Sequence, residues 1–193
     1  MVAPSTSTLE AEKLALRQRL KALRAGIKAA DAAQRASEHF AGIPVPPLAA
    51  IGGYWPVGDE FSPLPLLRRL AASGHPVGLP VVTESGRPLV FRQAPLDRPP
   101  PAGKHGIPAP GPEAPVVIPA LLLVPLLGFD AAGWRLGYGG GYYDRTIAAL
   151  RAAGGVITVG LAFAAQEINA APHGPHDMRL DWIVTEREAR RFL

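Results

Sequence analysis

Leu9, Leu16, Leu20 and Leu23 recur at helical spacing, with Lys13, Arg17, Arg19, Lys21 and Arg24 between them. This pattern predicts an amphipathic helix. Ser7-Thr8-Leu9-Glu10 has capping-box spacing and is expected to open it, and Gly26 to break it. A second helix is predicted over 31–41, ended by Pro44, Pro46 and Pro47. The period then shortens. Residues 49–54 form a short apolar run bounded by turn formers, as a buried strand does, and 77–82 and 89–93 read as two more strands. Between them, 63–73 reads as a helix closed by Gly74.

Further along, 121–124 reads as a buried strand followed by a loop through Tyr138. Gly139 leads into a helix ending near Ala153, where Gly154-Gly155 stops it. Strands are expected at 156–161 and 182–185, and a terminal helix at 186–192. Short apolar strands alternating with amphipathic helices predict an α/β domain with a mainly parallel sheet. The stretch 95–119 holds nine prolines, which rules out long regular structure. Neither flank is long enough for an independent core, so it reads as a surface loop, not a linker. Residues 1–193 are therefore expected to form one domain, with 1–6 as a frayed tail.

Composition narrows the function classes. The chain has 193 residues and no cysteine, which excludes disulfides and thiolate chemistry and points to a reducing cytoplasm. Apolar runs such as 116–128 are broken by Pro119 and Pro125 and are too short to span a bilayer. The N-terminus lacks the basic flank and apolar stretch of a signal peptide. Net charge is +4, yet sixteen of the twenty basic residues are scattered arginines, and no nucleic-acid motif accompanies them. A modest positive excess equally suits small polyanionic substrates.

The segment 129–145, FDAAGWRLGYGGGYYDR, carries the most chemistry. Gly137, Gly139, Gly140 and Gly141 let backbone amides approach a ligand and adopt positive φ. They precede a helix, whose N-terminal amides favour an anion such as phosphate. No Gly-Lys-Ser/Thr follows, so this is not a Walker A loop; Tyr142 stands where a dinucleotide fingerprint needs its third glycine. Asp144 adds a carboxylate suited to a Mg²⁺ bridging to phosphate. A plain glycine-rich turn with an acid in the first helical turn is the alternative reading of these residues. Lys13 and Arg17 lie four apart and share a helix face able to grip one anion, though an ordinary solvated basic face has the same spacing. His173 and His176 lie between prolines in a loop and do not read as a metal pair.

The string from Arg135 to Asp144 resembles the signature of the 5-formyltetrahydrofolate cyclo-ligase family. Three further blocks match that family in order: Lys13 with Arg17, the segment Tyr54-Trp55-Pro56-Val57-Gly58-Asp59-Glu60, and His176-Asp177-Met178-Arg179-Leu180-Asp181 followed by Ile183-Val184-Thr185-Glu186. Together they span residues 9–186. Ala109 and Ala120 depart from the family's usual residues, outside the positions assigned to chemistry.

The resemblance implies a three-layer α/β/α domain similar to the sugar-phosphate isomerase and CoA-transferase group. It implies a monomeric enzyme acting on two small molecules, ATP and 5-formyltetrahydrofolate, with Mg²⁺ as cofactor and neither nucleic acid nor membrane as partner. By position, Lys13, Arg17, Arg135 and Asp144 would be catalytic. Lys13, Arg17, Arg135, Leu136, Gly137, Tyr138, Gly139, Gly140, Gly141, Tyr142 and Tyr143 would bind ATP. Tyr54, Trp55 and Glu60 would bind the folate, joined by Tyr138, Gly139, Gly140, Gly141 and Tyr142. Glu60 would accept hydrogen bonds from ring N–H groups, and core packing is an equal explanation for the two aromatics. Asp144 and Asp177 would be metal-linked. Asp181 reads as structural, capping its strand or pairing with Arg179. A different ATP-dependent ligase or phosphotransferase, or a non-catalytic binding module, are the competing classes.

Overall fold

The computed structural model describes residues 6–192. Most of the expected tail, 1–5, lies outside the described residues, and Thr6 already belongs to the first helix, α1 (Thr6–Ala25). That helix therefore begins before Ser7, and the Ser7-to-Glu10 box falls inside its first turn. Helix α2 (Ala32–His39) ends in a 3-10 turn over Phe40–Gly42. Strand β1 (Ile51–Gly52) is shorter than its apolar run, and α3 (Leu64–Ala72) connects it to β2 (Val77–Val81). Strands β3 (Val90–Gln93) and β4 (Val116–Val117) follow, the second emerging from the proline-rich loop.

The central strand is β5 (Leu121–Pro125). A small hairpin comes next, β6 (Gly128–Phe129) and β7 (Arg135–Leu136), in a stretch expected to be loop. Two-residue strands leave no periodic signal, and this hairpin is set by its turn. The Asp130 carboxylate accepts the amides of Ala132 and Trp134 at 2.9 and 3.0 Å. Helix α4 (Tyr142–Ala152) and strands β8 (Ile157–Leu161), β9 (Trp182–Val184) and β10 (Ala189–Arg191) complete the chain.

Eight strands form one sheet in the order β10-β9-β8-β5-β1-β2-β3-β4. The five from β9 to β2 run parallel: Ile51 aligns with Val77 and Leu121, Leu121 with Ile157, and Val159 with Trp182. Only the added edges β3, β4 and β10 are antiparallel. The strand period of two sorts β5 between two cores. Leu121 and Leu123 join the cluster under α2 and α3, with Leu66, Leu67, Val159 and Val184. Leu122 and Val124 join the cluster under α4, with Phe91, Ile147 and Ile183. All four β5 side chains are fully buried, each stabilising by about 1.5–3 kcal/mol relative to exposure. The expected three-layer α/β arrangement is thus present.

Two expectations fail. Residues 186–192 form no helix: the Thr185 hydroxyl accepts the amides of Arg187 and Glu188, turning the chain so that Ala189–Arg191 pairs with β9. Edge pairing overrides the helical propensity of Glu, Ala and Arg. On α1, Leu16 and Leu20 pack against Leu127, Leu136 and Ile168, but Leu23 is exposed and Arg24 is buried in its place. Asp181 is structural, as expected, although its cation is Arg151 at 3.1 Å; it also accepts the Thr158 amide and hydroxyl.

Candidate active site

After β1 the chain builds β2, β3 and β4 toward one edge, then returns to place β5 on the other side of β1. Connections leaving β1 and β5 thus diverge, and in an open α/β sheet such a switch point leaves a crevice beyond the strand ends. The segment 54–60 follows β1, whereas the β6–β7 hairpin and glycine string follow β5. Helix α1 brings its cations to the same place.

Lys13 is buried and donates to Asp177 Oδ2 at 2.7 Å. That oxygen also accepts the Gly174 amide at 2.7 Å. Burial alone would raise the Asp177 carboxyl, but Lys13 and the Gly174 amide outweigh it and hold it below the ordinary range. Arg17, one turn on, donates through Nε to the Gly137 carbonyl at 3.1 Å, and its two Nη groups have no hydrogen bond among the described residues. Gly139 is at φ +99, and a Cβ there would meet the Arg17 guanidinium at 3.3 Å. Gly141 caps α4 at φ +63. These two positions need glycine for conformation and for close approach.

Arg135 is buried in β7 and donates to Asp144 Oδ1 at 2.8 Å and to the Met178 carbonyl. The same Asp144 oxygen accepts the Met178 amide at 3.0 Å. Asp144 in α4 is therefore tied to the loop before β9 at Met178, the residue after Asp177. Arg145 folds back onto the Gly140 carbonyl at 2.7 Å, with its guanidinium over the Tyr142 ring.

On the other side, Glu60 Oε2 accepts the Val57 amide at 2.9 Å. Burial, and then the negative charge of Glu60, raise the phenols of Tyr54, Tyr138 and Tyr143. Tyr54 is in the core and donates to the Phe61 carbonyl at 2.6 Å, while Trp55 packs partly on the same cluster, so both serve core packing. The buried Tyr143 hydroxyl has no partner among the described residues. Leu136 is core, packed on Leu20.

Each aspartate is anchored through one oxygen, leaving Asp144 Oδ2 and Asp177 Oδ1 without hydrogen bonds among the described residues. Hard-cation chemistry fits this pair, since Mg²⁺ takes one or two carboxylates and completes its shell with water and phosphate. No group of three or more His, Cys, Asp or Glu suited to holding a metal occurs among the described residues. His173 instead stacks on Trp134, ring centroids 3.8 Å apart, and pairs with the Ala171 carbonyl. Sequence reasoning missed Arg24 and Asp59, which bond each other at 2.7 Å beside Tyr138. Their signal was present: positions 13, 17, 20 and 24 lie on one helical face.

This is an α/β fold that gathers cations, a glycine string and carboxylates beyond the ends of β1 and β5. The model of the 5-formyltetrahydrofolate cyclo-ligase family matches residues 9–186, and the chain belongs to that family. A 5-formyltetrahydrofolate cyclo-ligase of Mycolicibacterium smegmatis is 34% identical over 148 residues, covering 69% of this chain and 72% of that protein. One from Haemophilus influenzae is 33% identical over 132 residues, covering 66% and 70%. The fold is that of Aquifex aeolicus 5,10-methenyltetrahydrofolate synthetase, with TM-score 0.76, 24% identity and coverage of 93% and 92%. The Mycoplasma pneumoniae synthetase superposes with TM-score 0.69 at 21% identity, covering 90% and 98%. Among the described residues no helix is long and apolar enough to cross a membrane.

Proposed function

We propose that this chain closes 5-formyltetrahydrofolate to 5,10-methenyltetrahydrofolate, converting ATP to ADP and phosphate, with Mg²⁺. The observation that carries this reading is convergence. Lys13 and Arg17 of α1 meet Asp177 and the glycine string, Arg135 holds Asp144, and Arg24 of the same helix ties the string to the loop that carries Glu60.

A formamide carbonyl is a weak electrophile and its oxygen a poor leaving group. The formyl oxygen therefore attacks the γ-phosphorus of ATP, ADP departs, and an imidate-like phosphate forms. N10 attacks that carbon, loses its proton, and inorganic phosphate leaves as the ring closes. The protein's task is positioning and charge stabilisation. Lys13 uses one of its three donors on Asp177 and keeps the others for phosphate oxygens. Arg17 presents its two free Nη groups, and amides at the start of α4 face the phosphates. Asp144 and Asp177 would hold Mg²⁺, which neutralises charge on the transferring phosphoryl group. Glu60 accepts hydrogen bonds from the folate ring.

The deciding assay mixes protein, 5-formyltetrahydrofolate, ATP and Mg²⁺ and follows the long-wavelength absorbance of the methenyl product. Product is expected only when all four are present. Formation without ATP, or ATP hydrolysis indifferent to folate, overturns the reading.

A further inference from the structure

Arg24 inverts the pattern of its own helix. Its neighbour Leu23 is 42% exposed, while Arg24 is 4% exposed. A guanidinium is tolerated inside only when paired, and the partners here are specific. Nη1 donates to the Tyr138 hydroxyl at 2.5 Å and Nη2 to Asp59 Oδ1 at 2.7 Å. The guanidinium carbon lies 5.6 Å from the Tyr138 ring centre. The buried Nε finds no partner among the described residues, so the side chain is held for these two contacts alone.

Tyr138 belongs to the glycine string, and Asp59 immediately precedes Glu60. One side chain of α1 thus ties both loops that border the crevice. Around the tie the chain is open: positions 57–59 and 138–140 are exposed. Segments of this kind open at low cost unless something holds them.

We propose that Arg24 is a positioning residue that locks the glycine string to the Glu60 loop through Tyr138 and Asp59, and so shapes the half of the crevice that takes the folate ring. This deepens the proposed function and rests on it for the identity of the ring. Lys13 and Arg17, which also hold the phosphate side, lie toward the other end of the same helix face, so the lock bears on the folate more than on ATP.

The test uses the full chain and the variants Arg24→Met, Tyr138→Phe and the pair combined. Backbone hydrogen exchange is read on the ligand-free protein, and steady-state kinetics with each substrate varied. Both single variants are expected to speed exchange in 57–60 and 137–141 together. The KM for 5-formyltetrahydrofolate is expected to rise about tenfold, as loss of a charge-assisted hydrogen bond does, and by more than the KM for ATP, which Lys13 and Arg17 also hold. The double variant is expected to be no worse than Arg24→Met, since both remove one interaction. Unchanged exchange in either segment, a shift confined to ATP, or additive losses would overturn the lock. If Arg24→Met does not fold, Tyr138→Phe decides alone, because it removes only a hydroxyl from a ring that is 42% exposed. A wild-type protein inert to the folate would end the proposed function, and the exchange measurement would still decide the lock.

Discussion

Asp144 Oδ1 lies 2.8 Å from Arg135 Nη2 and accepts the Met178 amide at 3.0 Å, so one carboxylate oxygen joins β7, α4 and the loop carrying Asp177. The other oxygen has no hydrogen bond among the described residues. Structure and chemistry are thereby divided between two atoms of one side chain. Asp144→Asn keeps an oxygen for the anchor and loses the charge. Turnover is expected to fall about a hundredfold, ~3 kcal/mol in barrier, with the fold retained and the melting temperature lowered because buried Arg135 loses its counter-charge. A variant that is fully active throughout a magnesium titration would leave Asp144 a structural acid only.

The two sides of the crevice are expected to respond to different substrates. Lys13→Ala removes a charged donor and should raise the KM for ATP ten- to a hundredfold, on the scale of ~1.5–3 kcal/mol, with folate affinity little altered. Glu60→Gln keeps shape and loses charge, and should weaken folate alone. Separate titrations with a non-hydrolysable ATP analogue and with 5-formyltetrahydrofolate measure both. Crossed effects would reverse the assignment of the two sides.

Leu123 is fully buried in the central strand, whereas Leu14 on α1 is 57% exposed. Leu123→Ala is expected to cost about 2–5 kcal/mol in urea unfolding. Leu14→Ala should remain within about 0.5 kcal/mol of wild type. Equal losses would contradict the exposure of the Leu14 face of α1.

Arg190 grips Glu167 through two bonds of 2.8 Å, and its positive charge holds the Glu167 carboxyl below the ordinary range. A carboxyl depressed on folding stabilises above its unfolded pKa, about 4.3, and loses that contribution as pH falls through the lower folded value. The stability gap between wild type and Glu167→Gln is therefore expected to be constant near neutrality and to close in acid, below the ordinary glutamate value. The pair is partly exposed, so the gap is small and shrinks with salt. A gap that widens in acid would contradict the sign. Urea midpoints at several pH values measure it.

Strands from apolar runs, helices closed by glycine, and the glycine string with its following acid were all legible in the sequence. In each case a local pattern matches a local structure. The β6–β7 hairpin was not, because Asp130 makes it by capturing two amides and the strands themselves carry no alternation. Strand β10 was hidden behind helix-forming residues, since its cause is an edge of β9 that is distant until the chain folds. Arg24 escaped for a related reason: its place on the face of Lys13, Arg17 and Leu20 was readable, but the partners that let an arginine be buried there, Tyr138 and Asp59, are distant in sequence. Lys13, Arg17, Asp144 and Asp177 were singled out by motif, but that Lys13 meets Asp177 and that Arg135 ties Asp144 to the loop at Met178 emerge only from the fold.

Lys13 and Asp177 meet across 164 positions of chain. Synthesis delivers α1 first and the loop before β9 nearly last, and domains settle from the N-terminal side as they emerge. On the ribosome, then, α1 waits for its Asp177 partner until the chain has reached that loop, and a chain that stops short of it lacks the complete candidate site.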